Sequence, residues 1–431
     1  MNAKNNKPLR APHPALHPSQ TRLTGGILAH RYRANIDNLF MQIDIDSLRR
    51  VFAETHDQWY AEPEFCGMYL DTAIQLYRGT GDERIRERAE LLAGAIMDGQ
   101  RSDGYLGTLD AGLEFAPTFS VWNQAFVLMG LLSYYEETGN ERALDSATRC
   151  LGFIADGYLS GKHPFLKGAL NQGIQNACIL RSAARLYGAS GSEAALRFCS
   201  YIIEETEKTP IALLSAPMRA HTISVFGCLK AIEILVCYHG MAEMYAATGD
   251  TQYLDSARKY WEMIDNTQIG ITGCGSLGEL WTYFGNKPLS VSTDLSPNEN
   301  CVAVGWMKLS AMLHQWSGEA RFFDAFERSL YNHLLGSQAL DGRDFSYYQG
   351  LYGYKVHEKS PGMYSCCRYR GMNMLAHLPS SIVTRHDAGL SVNLYVASET
   401  TLDIANTTVT LTQTTDFPRA GAVSIAVRPS A

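Results

Sequence analysis

Two short segments of the sequence contain residue types that bind transition metals. Glu299 and Cys301 are separated by one residue, and Cys366 and Cys367 are adjacent to each other further along the chain. Three thiolates and one carboxylate can complete a tetrahedral zinc site. Each pair stands where a helix is predicted to start, and a helix N-terminus favours negative charge on thiolates and carboxylates. The residues alone leave two interpretations open, a metal site and ordinary buried thiols.

The elements that would position these residues are predicted from a repeated turn. An aromatic residue precedes a short glycine turn, and a helical pattern follows, five times at a spacing of about 50 to 70 residues. The turn glycines are Gly81, Gly139, Gly191, Gly249 and Gly318. Glycine adopts the left-handed conformation that ends one helix. N-caps for the next helices are predicted at Asp82, Asn140, Ser192 and Asp250.

A repeat of this length fits a pair of helices with their connecting loops. Five such turns, together with a last helix predicted near residues 372–382, indicate about six helical hairpins. Six hairpins can close into an all-α (α/α)6 toroid, whose inner helices line a funnel. An open solenoid is the competing geometry, and the periodicity does not distinguish the two.

The sequence texture changes after about Arg385. The following segment is rich in Thr and Val, with alternating polar and apolar residues, which is typical of β-strands. We therefore expect a flexible N-terminal lead-in over residues 1–24, a barrel over 25–385, and the beginning of a C-terminal β-sandwich domain over 386–431. The last part is too short for a complete sandwich, which suggests a truncated form of a longer protein.

Composition excludes several classes of function. The formal net charge of −7 disfavours nucleic-acid binding, because phosphate contacts need clustered Lys and Arg. The sequence has no apolar stretch long enough to suggest a membrane span. Most of the ten cysteines lie in helical patterns, which indicates reduced core thiols. In the absence of a signal-peptide pattern, we expect a cytoplasmic protein, with a homodimer as a possible assembly.

The C-terminal third of the predicted barrel resembles glycoside hydrolase family 127, the β-L-arabinofuranosidase group. That family has an (α/α)6 barrel followed by β-sandwich domains. The resemblance rests on four motifs in the same order, a glycine-serine turn leading to an acidic residue, Glu-x-Cys, Glu-Arg-x-Leu-Tyr-Asn, and a cysteine pair. They are Gly275-Ser276 leading to Glu279, Glu299-Asn300-Cys301, Glu327-Arg328-Ser329-Leu330-Tyr331-Asn332, and Cys366-Cys367.

The resemblance implies a role for each matched residue. Cys366 corresponds to the nucleophile of a retaining glycosidase, and Glu279 corresponds to its general acid/base. Glu327 and Tyr347 correspond to residues that contact the sugar. The implied Zn²⁺ ligands are Glu299, Cys301, Cys366 and Cys367. A zinc-bound thiol stays deprotonated near neutral pH, which a free thiol does not.

Some residues depart from the family pattern. Asn176 and Lys230 stand in stretches where well-known members have arabinose-binding histidines, so both are candidate substrate contacts. Arg368 and Arg370 follow the cysteine pair in place of the usual Pro-Pro-Asn, which raises the alternative of an acidic sugar as substrate.

Three plainer alternatives remain. Glu279 can be read as a solvated turn carboxylate, and Glu327 as an ordinary helix-surface charge. The whole protein can also be read as a zinc-stabilised, carbohydrate-binding toroid without catalysis.

Overall fold

The chain folds into a helical body followed by a small antiparallel sheet. The computed structural model describes residues 8–58, 60–167, 170–283, 296–351, 365–404 and 406–430. The helices are α1 (Gly26–Ala34), α2 (Ile45–Arg50), α3 (Glu62–Thr80), α4 (Glu83–Asp98), α5 (Ser120–Thr138), α6 (Glu141–Leu159), α7 (Ile174–Ala177), α8 (Leu180–Ser190), α9 (Glu193–Glu207), α10 (Ala216–Arg219), α11 (Ala231–Thr248), α12 (Thr251–Thr267), α13 (Asn300–Ser317), α14 (Ala320–Arg328), α15 (Leu335–Ser337), α16 (Cys366–Ala376) and α17 (Leu378–Ile382). The strands are β1 (Thr21–Leu23), β2 (Val383–His386), β3 (Gly389–Val392), β4 (Ser398–Ile404), β5 (Thr407–Thr415) and β6 (Val423–Pro429).

Six inner helices form a closed ring. In order around the ring they are α3, α5, α8, α11, α13 and α16, and α16 packs back against α3. The expected (α/α)6 toroid is therefore confirmed, and the open solenoid is wrong. Helices α4, α6, α9, α12 and α14 return the chain on the outside. The segment around α1 takes the sixth outer position, next to α16. There the side chain of Asn35, just after α1, donates a hydrogen bond to the Met372 carbonyl of α16 at 3.1 Å.

The inner and outer helices differ in how their sequences are buried. Helix α5 is apolar on nearly all sides because it is covered by both its ring neighbours and the outer layer. Helices α3 and α5 approach closely at Gly67, where a Cβ atom would lie 2.2 Å from the Phe126 carbonyl oxygen. Any larger residue at that position would push the two helices apart.

The repeated turns form as predicted. All five turn glycines have positive φ, between 65° at Gly81 and 74° at Gly249, and each ends an inner helix. The side chains of the four predicted N-caps accept hydrogen bonds from backbone N–H groups in the first turn of α4, α6, α9 and α12. Each turn reverses the chain, so all six inner helices run in the same direction. Their N-termini converge at one end of the toroid, which we call the mouth.

The last helices differ from the prediction. One helix was expected near residues 372–382, with the cysteine pair just before it. Instead, Cys366 and Cys367 are the first residues of α16, which ends at Ala376, and α17 begins at Leu378. Pro379 lies in the first turn of α17, where its missing N–H is not needed, and it cannot continue α16.

The N-terminal lead-in differs from the expected flexible segment in the part that is described. Residues 1–7 lie outside the described residues. The backbone N–H of Leu9 donates to the Ala246 carbonyl at 2.7 Å, and that of His13 donates to the Gln315 carbonyl at 2.9 Å. Strand β1 then pairs antiparallel with β4. Residues 8–23 therefore form backbone hydrogen bonds with both the helical body and the sheet.

Strands β4, β5 and β6 of the C-terminal region form a four-stranded sheet with β1 of the N-terminal segment, in the order β1-β4-β5-β6, and β2 and β3 form a separate hairpin. The first C-terminal strand, β2, begins at Val383, three residues before the predicted start of the β-region. The assignment of residues 386–431 to a partial sandwich domain stays a prediction. In the described ranges, no helix has the length and apolarity needed to cross a membrane.

Candidate active site

Four predicted ligands meet at the mouth. One ligating atom each from Glu299, Cys301, Cys366 and Cys367 lies within 4.8 Å of all the others. The sulfurs of Cys301 and Cys367 are 3.2 Å apart, and the Cys367 sulfur lies 3.8 Å from Glu299 Oε1. Three of these residues are buried, whereas Cys366 is partly exposed. Segments that are distant in the sequence therefore form one cluster, in which Cys366 is the sulfur that a ligand can reach.

Two helix N-termini hold this cluster. Glu299 is the N-cap residue of α13, and Cys366 is the first residue of α16. The side chain of Asn300 donates to the Cys367 carbonyl at 3.0 Å and accepts from the Ser337 hydroxyl at 2.9 Å. These hydrogen bonds fix the start of α13 against the start of α16. The positive ends of the two helix dipoles then stabilise anionic ligands between them.

The position of Glu279 is set by a tight hairpin. Gly278 and Glu279 have positive φ angles of 56° and 68°, and the Leu277 N–H donates to the Leu280 carbonyl at 2.9 Å. Two successive left-handed residues define a type I′ turn, and glutamate in this conformation is strained. The Ala231 N–H at the start of α11 donates to the Glu279 carbonyl at 3.0 Å, which docks the hairpin on the mouth.

The Glu279 carboxylate is not a solvated turn charge. Its Oε1 accepts hydrogen bonds from the hydroxyls of Tyr347 at 2.8 Å and Tyr348 at 3.0 Å. Its Oε2 pairs with Lys230 Nζ at 2.5 Å. The Tyr347 hydroxyl also lies 3.5 Å from the Cys366 sulfur. Tyr347 therefore connects the carboxylate to the most accessible thiol.

The four ligands differ in their acid–base properties. Hydrogen bonds from Cys301 and Cys367 lower the pKa of Cys366 well below its usual value, although burial opposes the shift. Burial raises the pKa values of Cys301 and Cys367. Burial, together with the nearby Cys366, also raises the pKa of Glu299. Without a metal, the cluster therefore favours a single thiolate on Cys366.

The donor set fits one tetrahedral zinc ion. Zinc–sulfur bonds of about 2.3 Å give sulfur–sulfur edges of about 3.8 Å, and the four ligand atoms lie within 4.8 Å of one another, with Cys301 and Cys367 closer at 3.2 Å. Glu299 Oε2 is buried and has no hydrogen-bond partner among the described residues. A buried carboxylate oxygen without a donor is costly unless a cation binds it. The residues present are therefore suited to a metal.

Two predicted contacts are not brought to this cluster. Glu327 is half-buried near the end of α14, where burial and the neighbouring Asp324 raise its pKa. The Asn176 side chain donates to the Phe165 carbonyl at 2.8 Å and to the Tyr158 hydroxyl at 3.3 Å. No contact found among the described residues joins either side chain to the cysteines or to Glu279.

A buried arginine–glutamate contact near the cluster was not predicted. Arg370, one helical turn after Cys366, lies 3.8 Å from Glu64 of α3, and both are more than nine-tenths buried. The guanidinium also packs over the rings of Trp122 and Phe126, at 5.5 and 4.7 Å from their centroids. Glu64 lies in an otherwise apolar helical stretch, EFCGMYL. A carboxylate in such a stretch is seldom buried without a partner, and this was the sequence signal that could have predicted the contact.

Two of the three cations that suggested an acidic sugar form close ion pairs with carboxylates. Arg368 binds Asp344 through two contacts of 2.7 and 2.9 Å. Lys230 pairs with Glu279. Arg370 lies 3.8 Å from Glu64, but its Nε and one terminal nitrogen have no hydrogen-bond partner among the described residues. The pairing of Arg368 and Lys230 weakens the case for an anionic substrate, and of the three cations only Arg370 keeps unsatisfied donors in the described part of the chain.

Comparisons with known proteins agree with this architecture. Residues 29–380 match the family model described as β-L-arabinofuranosidase, GH127 catalytic domain. A non-reducing end β-L-arabinofuranosidase of Bifidobacterium longum subsp. longum is 22% identical over 415 residues. That match covers 83% of this chain but only 60% of the relative, so the chain spans less than two thirds of that protein.

Two solved structures share the fold. One is a GH127 β-arabinofuranosidase with a TM-score of 0.77 and 20% identity, covering 97% of this chain and 69% of the other. The second is a GH127 β-L-arabinofuranosidase from Geobacillus stearothermophilus T6, with a TM-score of 0.75 and 19% identity, covering 95% and 73% of the two chains. At these identities the likeness establishes the fold alone.

Proposed function

Because this chain belongs to the GH127 β-L-arabinofuranosidase catalytic-domain family, we propose that it is a retaining glycoside hydrolase that releases β-L-arabinofuranose from non-reducing ends. Cys366 is the proposed nucleophile, and Glu279 is the proposed general acid/base. The observation that carries this proposal is the Tyr347 hydroxyl, which contacts both groups.

The separation of the two groups favours retention. Since both contact the same hydroxyl, at 2.8 and 3.5 Å, the Cys366 sulfur and Glu279 Oε1 lie at most about 6.3 Å apart, just below the range of inverting enzymes. Carboxyl pairs of retaining glycosidases are about 5–5.5 Å apart, whereas inverting enzymes need about 6.5–9.5 Å to admit a water molecule. A nucleophile and an acid this close suit a two-step displacement through a glycosyl-enzyme.

The cofactor that fits the ligand set is Zn²⁺, held by Glu299, Cys301, Cys366 and Cys367. When bound, zinc keeps the coordinating thiols deprotonated near neutral pH and moderates the basicity of their sulfurs. The protein orients the site through the α13 and α16 N-termini. Tyr347 contributes its carbonyl, which lies 3.7 Å from the Cys367 sulfur.

The residues then act in two steps. The Cys366 sulfur attacks the anomeric carbon and forms a thioether to the sugar. At the same time the protonated Glu279 gives its proton to the glycosidic oxygen, which departs with the leaving group. The Glu279 carboxylate that results is stabilised by Lys230, Tyr347 and Tyr348. It next takes a proton from water, whose oxygen attacks the anomeric carbon and releases Cys366 as the leaving group.

The direct test is hydrolysis of an aryl β-L-arabinofuranoside by the zinc-loaded protein. We expect turnover with retained configuration, read from the first product formed in the presence of methanol. Cys366→Ser should keep the fold but lose turnover, and mass spectrometry of wild type treated with a mechanism-based furanoside should place the sugar on Cys366.

Three outcomes would count against the proposal. Inverted product excludes a glycosyl-enzyme, and full activity of Cys366→Ser excludes the nucleophile. No turnover and no labelling in a folded, metal-loaded protein would instead support the non-catalytic carbohydrate-binding toroid.

A further inference from the structure

A second cavity lies at the end of the toroid opposite the mouth. It has a volume of about 360 Å³ and is lined in part by Arg181, Glu243, Lys308, Gln315 and His377; we call it the rear cavity. Lys308 follows Cys301 by seven residues on α13, which places it about 10 Å further along the helix axis. None of the proposed zinc ligands lines this cavity. Its volume falls in the range of about 300–1,000 Å³ that is typical of small-molecule sites.

The N-terminal segment forms one wall of the rear cavity. Leu9, Ala11 and Ala15 line it. The backbone hydrogen bonds of Leu9 to Ala246 and of His13 to Gln315 hold this segment across the C-terminal ends of α11 and α13. The cavity is therefore built from the toroid and from a segment that crosses its rear end.

Three partly buried side chains of the rear cavity have polar atoms free for a ligand. Within the described ranges, no hydrogen bond or close ion pair is found for the side chains of Arg181, Glu243 and Gln315, although Arg181 and Glu243 attract each other electrostatically. Arg181 Nε is sealed from solvent without an acceptor. By contrast, the neighbouring Arg185 pairs with Glu136 at 2.5 Å. A ligand in the cavity can therefore accept hydrogen bonds from the Arg181 guanidinium, donate one to the Glu243 carboxylate, and do either with the Gln315 amide.

The rear cavity is balanced in charge. Three cationic and three anionic side chains lie in or beside it, and they are Arg181, Arg185, Lys308, Asp71, Glu136 and Glu243. Burial lowers the pKa of Lys308 to about 7 and raises that of Glu243, so burial penalises the charged form of each group. A net charge on the ligand would be penalised in the same way.

Apolar groups complete the lining. Ala242, Ala246, Met312 and Trp316 border the polar side chains. A small ring that carries hydroxyls on its edge and C–H groups on its faces matches such a mixture, because hydroxyls both donate to a carboxylate and accept from a guanidinium. We propose that the rear cavity binds a neutral monosaccharide, separately from the site at the mouth.

The test uses the full chain with Glu279→Ala, which stops turnover at the mouth, and rear-cavity variants that assign the measured binding to the rear cavity; the inference does not depend on the proposed hydrolase. In a Glu279→Ala background, L-arabinose is titrated calorimetrically, with gluconate as a charged probe of similar size. We expect one site for arabinose and weaker binding of gluconate. Adding Glu243→Gln, which keeps the shape but removes the charge, should weaken arabinose binding about tenfold, as expected for the loss of a charge-assisted hydrogen bond.

Gln315→Leu is the second rear variant, and an unchanged melting temperature checks that each variant is folded. The inference is overturned if the Glu279→Ala protein binds no arabinose, or if gluconate binds more tightly. It is also overturned if folded Glu243→Gln and Gln315→Leu variants bind arabinose as well as their parent.

Discussion

Tyr347→Phe removes one hydroxyl from between the proposed nucleophile and the proposed acid/base. That hydroxyl lies 2.8 Å from Glu279 Oε1 and 3.5 Å from the Cys366 sulfur. It has a single proton for two acceptors, so the proton can follow the negative charge. When Glu279 is protonated, the Cys366 thiolate is the better acceptor for the Tyr347 proton. When Glu279 has ionised, its carboxylate is the better acceptor.

The expected loss follows from the energy of a hydrogen bond to a charged group. Such a bond contributes about 1.5–3 kcal/mol, and about 1.4 kcal/mol corresponds to a tenfold change in rate. We therefore expect kcat to fall about 10- to 100-fold in Tyr347→Phe. The phenyl ring keeps its packing, so KM, zinc content and melting temperature should change little.

Tyr348→Phe is the matched control. The Tyr348 hydroxyl donates to the same Glu279 oxygen at 3.0 Å, but no described contact joins it to Cys366. Steady-state kinetics of both variants on an aryl β-L-arabinofuranoside should show the larger loss in Tyr347→Phe. Equal losses in the two variants, or a Tyr347→Phe enzyme with wild-type kcat, would refute the role of a hydroxyl shared by nucleophile and acid.

Two further predictions concern buried acids. Burial raises the pKa of Glu64 to about 8. At low pH this carboxyl is protonated in both the folded and the unfolded state, but between about pH 4.3 and pH 8 only the unfolded chain ionises freely. The free energy of unfolding should therefore fall as the pH rises through this window. Glu64→Gln should remove that loss, and urea unfolding near pH 5 and pH 8 measures it; a wild-type–variant difference that is the same at both values contradicts the assignment. Burial also raises the pKa values of Cys301 and Cys367, so zinc binding must release protons and zinc affinity should fall as pH falls. Chelator competition near pH 6 and pH 8 checks this, and a pH-independent affinity would argue against thiolate ligands.

Much of the fold follows from local sequence signals. A glycine such as Gly139 ends a helix in the left-handed conformation, and Asn140 caps the next one, because both effects depend on a few neighbouring residues. Closure of the ring does not follow from these turns. It depends on how α16 packs against α3, across most of the chain, and periodicity carries no information about that contact.

The site was predictable to the extent that its residues are chemically distinctive. Sulfur and carboxylate side chains at two helix starts left both a metal site and buried thiols open, the family resemblance implied one ligand set, and the fold does bring these residues together. Glu327 shares a motif with the family, but no contact found among the described residues joins it to the cluster, and its role as a sugar contact stays a prediction. Arg370 and Glu64 were missed as a pair because their contact joins the first and last inner helices.

X-ray absorption at the zinc edge tests the central claim most directly. For the metal-loaded protein we predict a four-coordinate zinc with three sulfur neighbours at about 2.3 Å and one oxygen at about 2.0–2.2 Å, changing to two sulfurs in Cys301→Ser if zinc is retained at all. A wild-type spectrum with fewer than three sulfurs, or a folded wild-type protein that binds no zinc, would contradict the account.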